Sequence, residues 1–417
     1  MSIPTSSFTV HERFFQPLEQ ALATAANRRP CPEFPDEVWL PMGVQRVLEA
    51  SPSGRGFLQE HGLRFENPPG YNNYFAALKS PRRRDLAREI HGNLIGRVEA
   101  TAGDRLADIP ELAKYACMAV DGHWHGAAVH DSRHEGKKMA VGHFYALNLR
   151  THTLRHLATG EGLHEHDMSA LKRIKPKGLR QEVPQGTRVL TLYDKAGIDF
   201  DFWDRCRREC AVYFLSRVKE NMVFEWVEDR AWNQADARNH GVVLDWKVRS
   251  RQGHLLRLVM YQDPFTGEVY EFLTNEMDLP PGVIAELYRR RWDVEKVFDE
   301  VKNKLGQKKA WGTTLVAKEV QALLIAMTHN LLLNYEGELE QKHQVTNTAE
   351  DQRRRQRIEP GKQMCAKMKW PISSLVLAAR RATQRSVKFI RWLRHALQNR
   401  FAEAIAVPRL RELYAAL

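Results

Sequence analysis

The strongest constraint on the fold is a succession of short apolar runs and amphipathic segments between residues 115 and 216. Runs of four to eight apolar residues bounded by Gly, Asp or Asn are typical of buried strands, and longer segments with a period of about 3.6 residues are typical of helices. The predicted order is strands at 115–120, 138–149 and 153–158, a helix to about residue 175, a strand at 188–193, a helix at 202–209 and a strand at 211–216. This order predicts a mixed α/β sheet.

Two of these runs end on an aspartate. Asp121 follows the first strand and precedes Gly122, and Asp194 follows the fourth strand with Gly197 close behind. A single aspartate at such a place is commonly a turn residue or a helix cap, so each of the two has a purely structural interpretation. Together, at the ends of two apolar strands, they are candidate metal-binding carboxylates.

A charged segment at residues 287–305 is predicted to form one long helix. At about 100° per residue, Tyr288, Arg291, Glu295 and Lys302 fall within a stripe about 60° wide, beside a separate apolar face. A phenol, a guanidinium, a carboxylate and an ammonium group on one stripe suit a phosphate ester and a metal ion. The alternative is an ordinary solvated helix face with i,i+4 ion pairs.

The spacing of these four residues, Tyr-x2-Arg-x3-Glu-x6-Lys, resembles the signature of the insertion-sequence-four family of bacterial transposases, a branch of the Asp-Asp-Glu superfamily. The resemblance implies that Glu295 is the last metal-binding carboxylate. It also implies that Tyr288, Arg291 and Lys302 contact DNA phosphates around the scissile position.

The predicted strand order is that of the ribonuclease-H-like fold, in which the first and fourth strands are neighbours. In that fold Asp121 and Asp194 stand side by side, and the helix that carries Glu295 packs over the same edge. The 101 residues between Asp194 and Glu295 exceed what one strand and one helix need. Residues 222–275 contain alternating β-like segments and are predicted to be a β-rich insertion within a catalytic domain at residues 111–339.

Three carboxylates at one edge predict a magnesium site. Asp121, Asp194 and Glu295 are expected to bind two Mg²⁺ ions, for which Mn²⁺ is the expected substitute, because hard cations prefer oxygen ligands. Two such ions promote an in-line displacement at a phosphate. The family resemblance implies nicking at the element end, hairpin formation, hairpin opening and strand transfer into target DNA.

Three further residues are candidates for DNA contacts. Trp292 lies next to the stripe and is either a stacking platform for an unpaired base or a packing tryptophan. The segment after the fifth strand resembles the family's Arg-x-Lys motif, which implies that Arg217 and Lys219 contact phosphates.

The residues after Asp121 depart from the family pattern, because Asp-Gly-His-Trp-His replaces a hydroxyl-bearing Asp-Gly-Thr. His123 and His125 alternate along a strand and therefore share one face, which opens the alternative of a zinc site. The carboxylate site is the preferred interpretation, because no second sequence element supplies a matching set of ligands.

The flanks of the predicted catalytic domain differ in charge. Residues 1–110 are predicted to be helical with possible DNA contacts, including the run at residues 82–84, which is either a phosphate-binding patch or a surface helix start. The net charge of +12 lies in residues 341–417, which hold 17 Lys and Arg against 5 Asp and Glu. A basic helical region at 340–417, entered through a charged linker at 341–363, is expected to bind a polyanion, unless it is only a solubilising surface.

The sequence also predicts the compartment and the partners. Five cysteines without a disulfide pattern, the absence of a secretion-type leader and the absence of a long apolar segment predict a reduced cytoplasm without a membrane. The resemblance to bacterial transposases implies a bacterial cell and association with the nucleoid. The expected partners are DNA, as terminal inverted repeats and target, and a second copy in a homodimeric synaptic complex.

Two other functions fit part of the pattern. One is a metal-dependent DNA nuclease that cuts without strand transfer. The other is a non-catalytic DNA-binding repressor derived from a transposase, and the presence of Asp121, Asp194 and Glu295 argues against it.

Overall fold

The centre of the molecule is a mixed sheet that comprises nine strands among the described residues. The computed structural model describes residues 8–51, 53–63, 68–138, 140–160, 165, 167–371 and 385–415. The strands are β1 Tyr115–His125, β2 Arg133–His134, β3 Lys137–Lys138, β4 Val141–Asn148, β5 Leu154–Thr159, β6 Arg188–Leu192, β7 Val212–Arg217, β8 Phe224–Asp229, β9 Val242–Ser250, β10 Leu255–Gln262 and β11 Val269–Thr274. Strands β2 and β3 form a separate hairpin, and the large sheet has the order β5-β4-β1-β6-β7-β11-β10-β9-β8.

The helices that the structure describes surround this sheet. They are α1 Val10–Ala23, α2 Asp36–Glu49, α3 Gly54–Gly62, α4 Tyr71–Leu78, α5 Pro81–Thr101, α6 Asp167–Arg180, α7 Phe200–Cys210, α8 Pro281–Arg290, α9 Trp292–Asp299, α10 Leu315–His343, α11 Thr348–Met368, α12 Val387–Gln398 and α13 Glu403–Ala415. None of these described helices combines the length and the apolar character needed to cross a bilayer.

The first five strands of the large sheet confirm the predicted ribonuclease-H-like order. Strands β5, β4 and β1 pair antiparallel, and β1, β6 and β7 pair parallel. Helix α6 joins β5 to β6, and α7 joins β6 to β7. Seven consecutive residues of β4 are buried, since both faces of this part of the sheet are covered.

The β-rich insertion is present and continues the central sheet. Strand β11 pairs antiparallel with β7, and β10, β9 and β8 follow in order. Strand β7 would otherwise be an edge with unpaired backbone groups. The insertion therefore moves the exposed edge of the sheet outward to β8.

Helix α10 contains the most apolar part of the chain, and this part is buried inside the protein. It is buried on all sides around Leu323–Leu332, packing against α2, α5 and β5. Asn330 pairs with the backbone of Leu154 in β5, with its side chain both donating to and accepting from that residue. An all-round apolar helix is typical of the core of a large protein.

The basic run at residues 82–84 lies in the first turn of α5 and is part of the fold. Arg82 makes two hydrogen bonds of 2.7 and 2.8 Å to the carboxylate of Asp36, and Arg83 lies 3.1 Å from the same group. Asp36 is fully buried. These two arginines neutralise a buried charge, which favours the structural interpretation of the run.

Two predictions about boundaries were wrong. Strand β1 continues beyond residue 120 to His125, because it keeps pairing with β4 after its pairing with β6 has ended. Residues 341–363 are not a linker, since α10 runs to His343 and α11 begins at Thr348. Runs of Arg, Gln and Glu have good helix propensity, and charge alone does not make a segment irregular.

The predicted helix at residues 287–305 is divided. Arg291 separates α8 from α9 but keeps helical dihedral angles of φ −52° and ψ −35°, so the path continues. After α9, residues Glu300–Lys304 form a π turn, in which Leu305 N donates to Glu300 O over 2.9 Å. A constant 100° per residue does not apply through a π turn, so the predicted stripe is regular only as far as Glu295 in α9, and the place of Lys302 on it stays a prediction.

A buried ion pair in the insertion gives a test of the fold. Arg257 makes hydrogen bonds of 2.8 and 2.6 Å to Asp245, and each side chain is 1% exposed. Arg257→Met leaves the charges of Asp245 and Glu276 buried without this partner, so we expect a loss of about 3–5 kcal/mol in the free energy of unfolding. Urea denaturation followed by circular dichroism measures this loss.

Lys247 provides the matched control, because it lies opposite Arg257 on β9 and pairs with the more exposed Glu228. Lys247→Met should cost less than about 1 kcal/mol. Equal losses in the two variants would contradict the assignment of Arg257 as the central ion-pair partner of the insertion.

Candidate functional site

The strand register brings Asp121 and Asp194 to the same edge of the sheet. The parallel pairing of β1 with β6 ends where Ala119 lies opposite Leu192, and each aspartate lies two residues beyond that pair. Neighbouring strands are about 4.8 Å apart. Both aspartates line one small pocket at this edge.

The local structure excludes a turn role for Asp121 and a helix-cap role for Asp194, while Asp194 does stabilise a turn. Asp121 lies inside β1, so it is not a turn residue, and its Oδ1 accepts a hydrogen bond of 2.8 Å from Gly122 N. Asp194 Oδ1 accepts one of 2.8 Å from Ala196 N in a short turn. Helix α7 is capped by Asp199, so Asp194 is not its cap.

Arg291 connects the strand edge to α9. Its Nη1 donates to Asp121 Oδ2 over 3.3 Å, and its Nη2 donates to Glu295 Oε1 over 2.8 Å. The Arg291 side chain is 7% exposed, and its Nε is buried without a hydrogen-bond partner among the described residues. One guanidinium thus lies between two carboxylates that are 174 positions apart in the sequence.

The protonation of Asp121 shows that the three carboxylates act on one another. Burial is the largest cause that raises its pKa, and the charges of Asp194 and Glu295 raise it further. Arg291 and the N–H of Gly122 oppose this effect, but the pKa still rises to about 6. The site therefore holds negative charge that its own surroundings compensate only in part.

Tyr288 and Arg217 lie around Asp194. Tyr288 is buried, which raises the pKa of its phenol, and the neighbouring charges of Arg291 and Arg217 lower that pKa while Asp194 raises it. Arg217 ends β7 with an exposed side chain, and its guanidinium lies 5.1 Å from the ring centroid of Tyr270.

The other predicted DNA contacts are more peripheral. Trp292 is 56% exposed, with the guanidinium of Arg291 5.6 Å from its ring centroid. Lys302 is exposed on the π turn and close to His123, since burial and the charge of Lys302 together lower the pKa of His123 to about 4. Lys219 is half-buried in the loop after β7.

Sequence reasoning missed a pair of cations beside β1. Lys308 and Lys309 are exposed, and a backbone bridge holds them against Gly126, one residue after β1 ends. Gly126 N donates to Lys308 O over 2.9 Å, and Ala310 N donates to Gly126 O over 2.8 Å. The Lys-Lys pair after Gly306 is visible in the sequence, but nothing local indicates that it returns to β1.

The donors at this edge suit a hard cation. Asp121, Asp194 and Glu295 offer carboxylate oxygens, which Mg²⁺ prefers. Among the described residues no three His, Cys, Asp or Glu side chains converge closely enough to hold an ion. The types of donor atom therefore fit Mg²⁺. In this structure Arg291 occupies the space between Asp121 and Glu295, so these two carboxylates contact its guanidinium.

The fold and this acidic edge define a class, the ribonuclease-H-like proteins with carboxylates on the first strand, after the fourth strand and on the closing helix. A family model described as "Transposase DDE domain" matches residues 115–331. This match covers the whole sheet, α8, α9 and more than half of α10. The chain belongs to the family of transposases with a DDE domain.

A curated relative is consistent with this family. The chain is 27% identical over 148 residues to the protein named "Putative transposase y4zB" of Sinorhizobium fredii (strain NBRC 101917 / NGR234). The aligned part is 34% of this chain and 41% of the relative, so the chain matches about two fifths of the length of that protein.

The raised pKa of Asp121 predicts that ionisation of this carboxyl group lowers the free energy of unfolding, so the stability of the protein depends on pH. A carboxyl group with a pKa of about 6 when folded and near 3.9 when unfolded favours folding only while it is protonated. That contribution is present below about pH 4 and is lost as the pH rises through 6. At pH 7.5 Asp121→Asn should therefore be about 1–3 kcal/mol more stable than the wild type, as measured by urea denaturation.

The difference between Asp121→Asn and wild type should shrink below pH 6 and vanish near pH 4. Glu209→Gln, an exposed position on α7, is the control and should change stability by less than about 0.5 kcal/mol at either pH. An Asp121→Asn protein less stable than wild type at pH 7.5 would show that the pairing with Arg291 outweighs desolvation.

Proposed function

We propose that this protein is a DNA transposase that cuts DNA at the ends of an insertion sequence and joins the freed 3′ ends to target DNA, with a hairpin as an intermediate. The observation that carries the proposal is that Asp121 lies within electrostatic reach of Asp194 and Glu295, with Arg291 bridging Asp121 and Glu295, in a chain of the DDE family. Phosphoryl transfer depends mainly on positioning and charge stabilisation, which this edge is suited to supply.

In this proposal Asp121, Asp194 and Glu295 hold two Mg²⁺ ions, with Mn²⁺ as a substitute. When bound, the ions supply activation of the attacking hydroxyl group and stabilisation of the leaving oxygen. The carboxylates supply the oxygen donors; burial, and to a smaller extent the charges of Asp194 and Glu295, raise the pKa of Asp121 and make its ionised form unfavourable without a cation. A bound cation offsets this repulsion.

Arg291 is proposed to exchange partners when DNA arrives. Without DNA its two Nη atoms contact Asp121 and Glu295. The same planar fork can bind two oxygens of a phosphate. Releasing Asp121 and Glu295 frees them for cations, and the guanidinium then holds the phosphate.

The other proposed DNA contacts surround this point. Tyr288 contacts the scissile phosphate from the buried side, and Lys302 contacts the backbone from the π turn. Arg217 and Lys219 contact phosphates beyond β7, where Arg217 is exposed. Trp292 stacks on an unpaired base near the hairpin tip, because its indole is largely exposed next to Arg291.

The flanking regions are proposed to bind the rest of the DNA. Residues 341–417 carry 17 Lys and Arg against 5 Asp and Glu, which favours a polyanion partner. Residues 1–110 are the second proposed flank. Recognition of terminal inverted repeats by a homodimer belongs to the same proposal.

A cleavage assay tests the role of Glu295. The wild-type protein with Mg²⁺ and a duplex that carries the terminal inverted repeats bordering its gene should give nicks, hairpins and joined products on a denaturing gel. Glu295→Gln should lower the cleavage rate at least about 1,000-fold, because a metal-binding oxygen is lost. DNA binding, measured by fluorescence anisotropy, should stay within about threefold of wild type.

Asp299→Asn is the matched control, one turn further along the same helix, and should cut at the wild-type rate. Cleavage by Glu295→Gln at the wild-type rate would remove Glu295 from the site. Nicks without hairpins or joined products would indicate a nuclease, and DNA that is bound but uncut by the wild type would indicate a repressor.

The exposed indole of Trp292 gives a separate test for the hairpin. Base stacking on an aromatic side chain contributes about 1–3 kcal/mol per base. Trp292→Ala should therefore lower the rate of hairpin formation about 5- to 150-fold and leave the first nick nearly unchanged, whereas Trp292→Phe should retain most of the hairpin rate. Equal loss of nicking and hairpin formation in Trp292→Ala would point to a packing role.

A further inference from the structure

A second group of side chains with metal-binding chemistry lies beside the acidic edge. We use the name histidine cluster for His123, His125 and His143. His123 and His125 alternate on β1 and share one face of the sheet, and His143 lies directly opposite His123 on β4. His125 and His143 are fully buried, and His123 is 7% exposed.

The spacing of two neighbouring pairs of these rings matches that of ligands on one ion. The ring centroids are 4.8 Å apart for His123 and His125 and 4.9 Å apart for His125 and His143. Two imidazoles that share a tetrahedral zinc ion, with Zn–N bonds of about 2.0–2.1 Å, have centroids roughly 5 Å apart. Phe298 of α9 covers the cluster, with its ring 4.9 Å from that of His123.

Four of the six ring nitrogens of the histidine cluster lack hydrogen-bond partners among the described residues. Both nitrogens of His125, Nε2 of His123 and Nε2 of His143 are buried in this condition. A buried polar group without a hydrogen-bond partner destabilises the fold, unless it has another role. Burial also lowers the pKa of His125 and His143 far below the ordinary value, so these imidazoles are neutral and each has a lone pair.

Thr159 of β5 orients one of the rings. His143 Nδ1 lies 3.0 Å from Thr159 Oγ1, and the same hydroxyl group lies 3.1 Å from His156 Nε2. When Nδ1–H of His143 donates to Thr159, the lone pair of His143 is on the unpartnered Nε2. Metal-binding histidines are typically oriented by such a hydrogen bond from the other ring nitrogen.

We propose that His123, His125 and His143 bind one borderline transition-metal ion, with Zn²⁺ as the best match, at a site separate from the carboxylates. Imidazole nitrogens suit Zn²⁺, whereas carboxylates suit Mg²⁺, so the two sites select different ions. No three of the described side chains converge on one point as they stand. Binding therefore requires the rings of His123 and His125 to turn about their Cβ–Cγ bonds, while the hydrogen bond to Thr159 holds His143 and the strands stay in place.

The experiment uses the full chain carrying Glu295→Gln, which weakens the carboxylate site, after removal of metals with a chelator. Equilibrium dialysis against Zn²⁺ with elemental analysis should give one ion per chain. Co²⁺ should give visible absorption bands of a tetrahedral, nitrogen-ligated ion. The absence of both signals, with circular dichroism showing a folded chain, would overturn the proposal.

Substitutions then locate the ion. His125→Gln should abolish stoichiometric binding, and Thr159→Val should weaken it about 10- to 100-fold by releasing His143. His130→Gln is the matched control, an exposed histidine five positions from His125, and should bind as before. Unchanged binding in a folded Thr159→Val or His125→Gln chain, or loss of binding in His130→Gln, would contradict the assignment. None of these measurements depends on DNA cleavage.

Discussion

The arrangement of the acidic edge depends on the charge of one arginine. Asp121, Asp194 and Glu295 come from β1, from the loop after β6 and from α9, and they would repel one another in poorly hydrated surroundings. Arg291 offsets part of that repulsion through contacts of 3.3 and 2.8 Å to Asp121 and Glu295. The docking of α9 over β1 is therefore linked electrostatically to what occupies the space between the carboxylates.

Strand β1 carries two chemistries on alternate residues. Asp121 contributes to the acidic edge, and His123 and His125 point to the same face two and four residues later. Two residues on the helical path through α8 and α9 contact these groups. Phe298 packs against His123, and Arg291 contacts Asp121. A shift of this helical path relative to β1 would therefore change the contacts of the carboxylates and of the imidazoles together.

Much of the architecture was predictable because it rests on local patterns. Apolar runs determined the order of β1, β4, β5, β6 and β7, and the spacing from Tyr288 to Lys302 led to the family. The length of β1 depends on its pairing with β4, which a local pattern does not contain, and the π turn at Glu300–Lys304 has no local signal in the sequence. The helix in place of a linker was missed for another reason, because its charge was weighed above its helix propensity. The sequence also did not indicate that His143 accompanies His123 and His125. His143 becomes their neighbour only through the β1–β4 register.

The continuity of the sheet through β7 and β11 limits what the insertion can do mechanically. A flap joined by flexible hinges could swing over a substrate, but strands that share a backbone hydrogen-bond ladder with the core move with it as a rigid plate. The insertion thus provides a preformed wall beside Asp194. If the ligand is DNA, as proposed, the DNA rather than the insertion changes shape on binding, and new protein–DNA contacts have to offset the energy of that distortion.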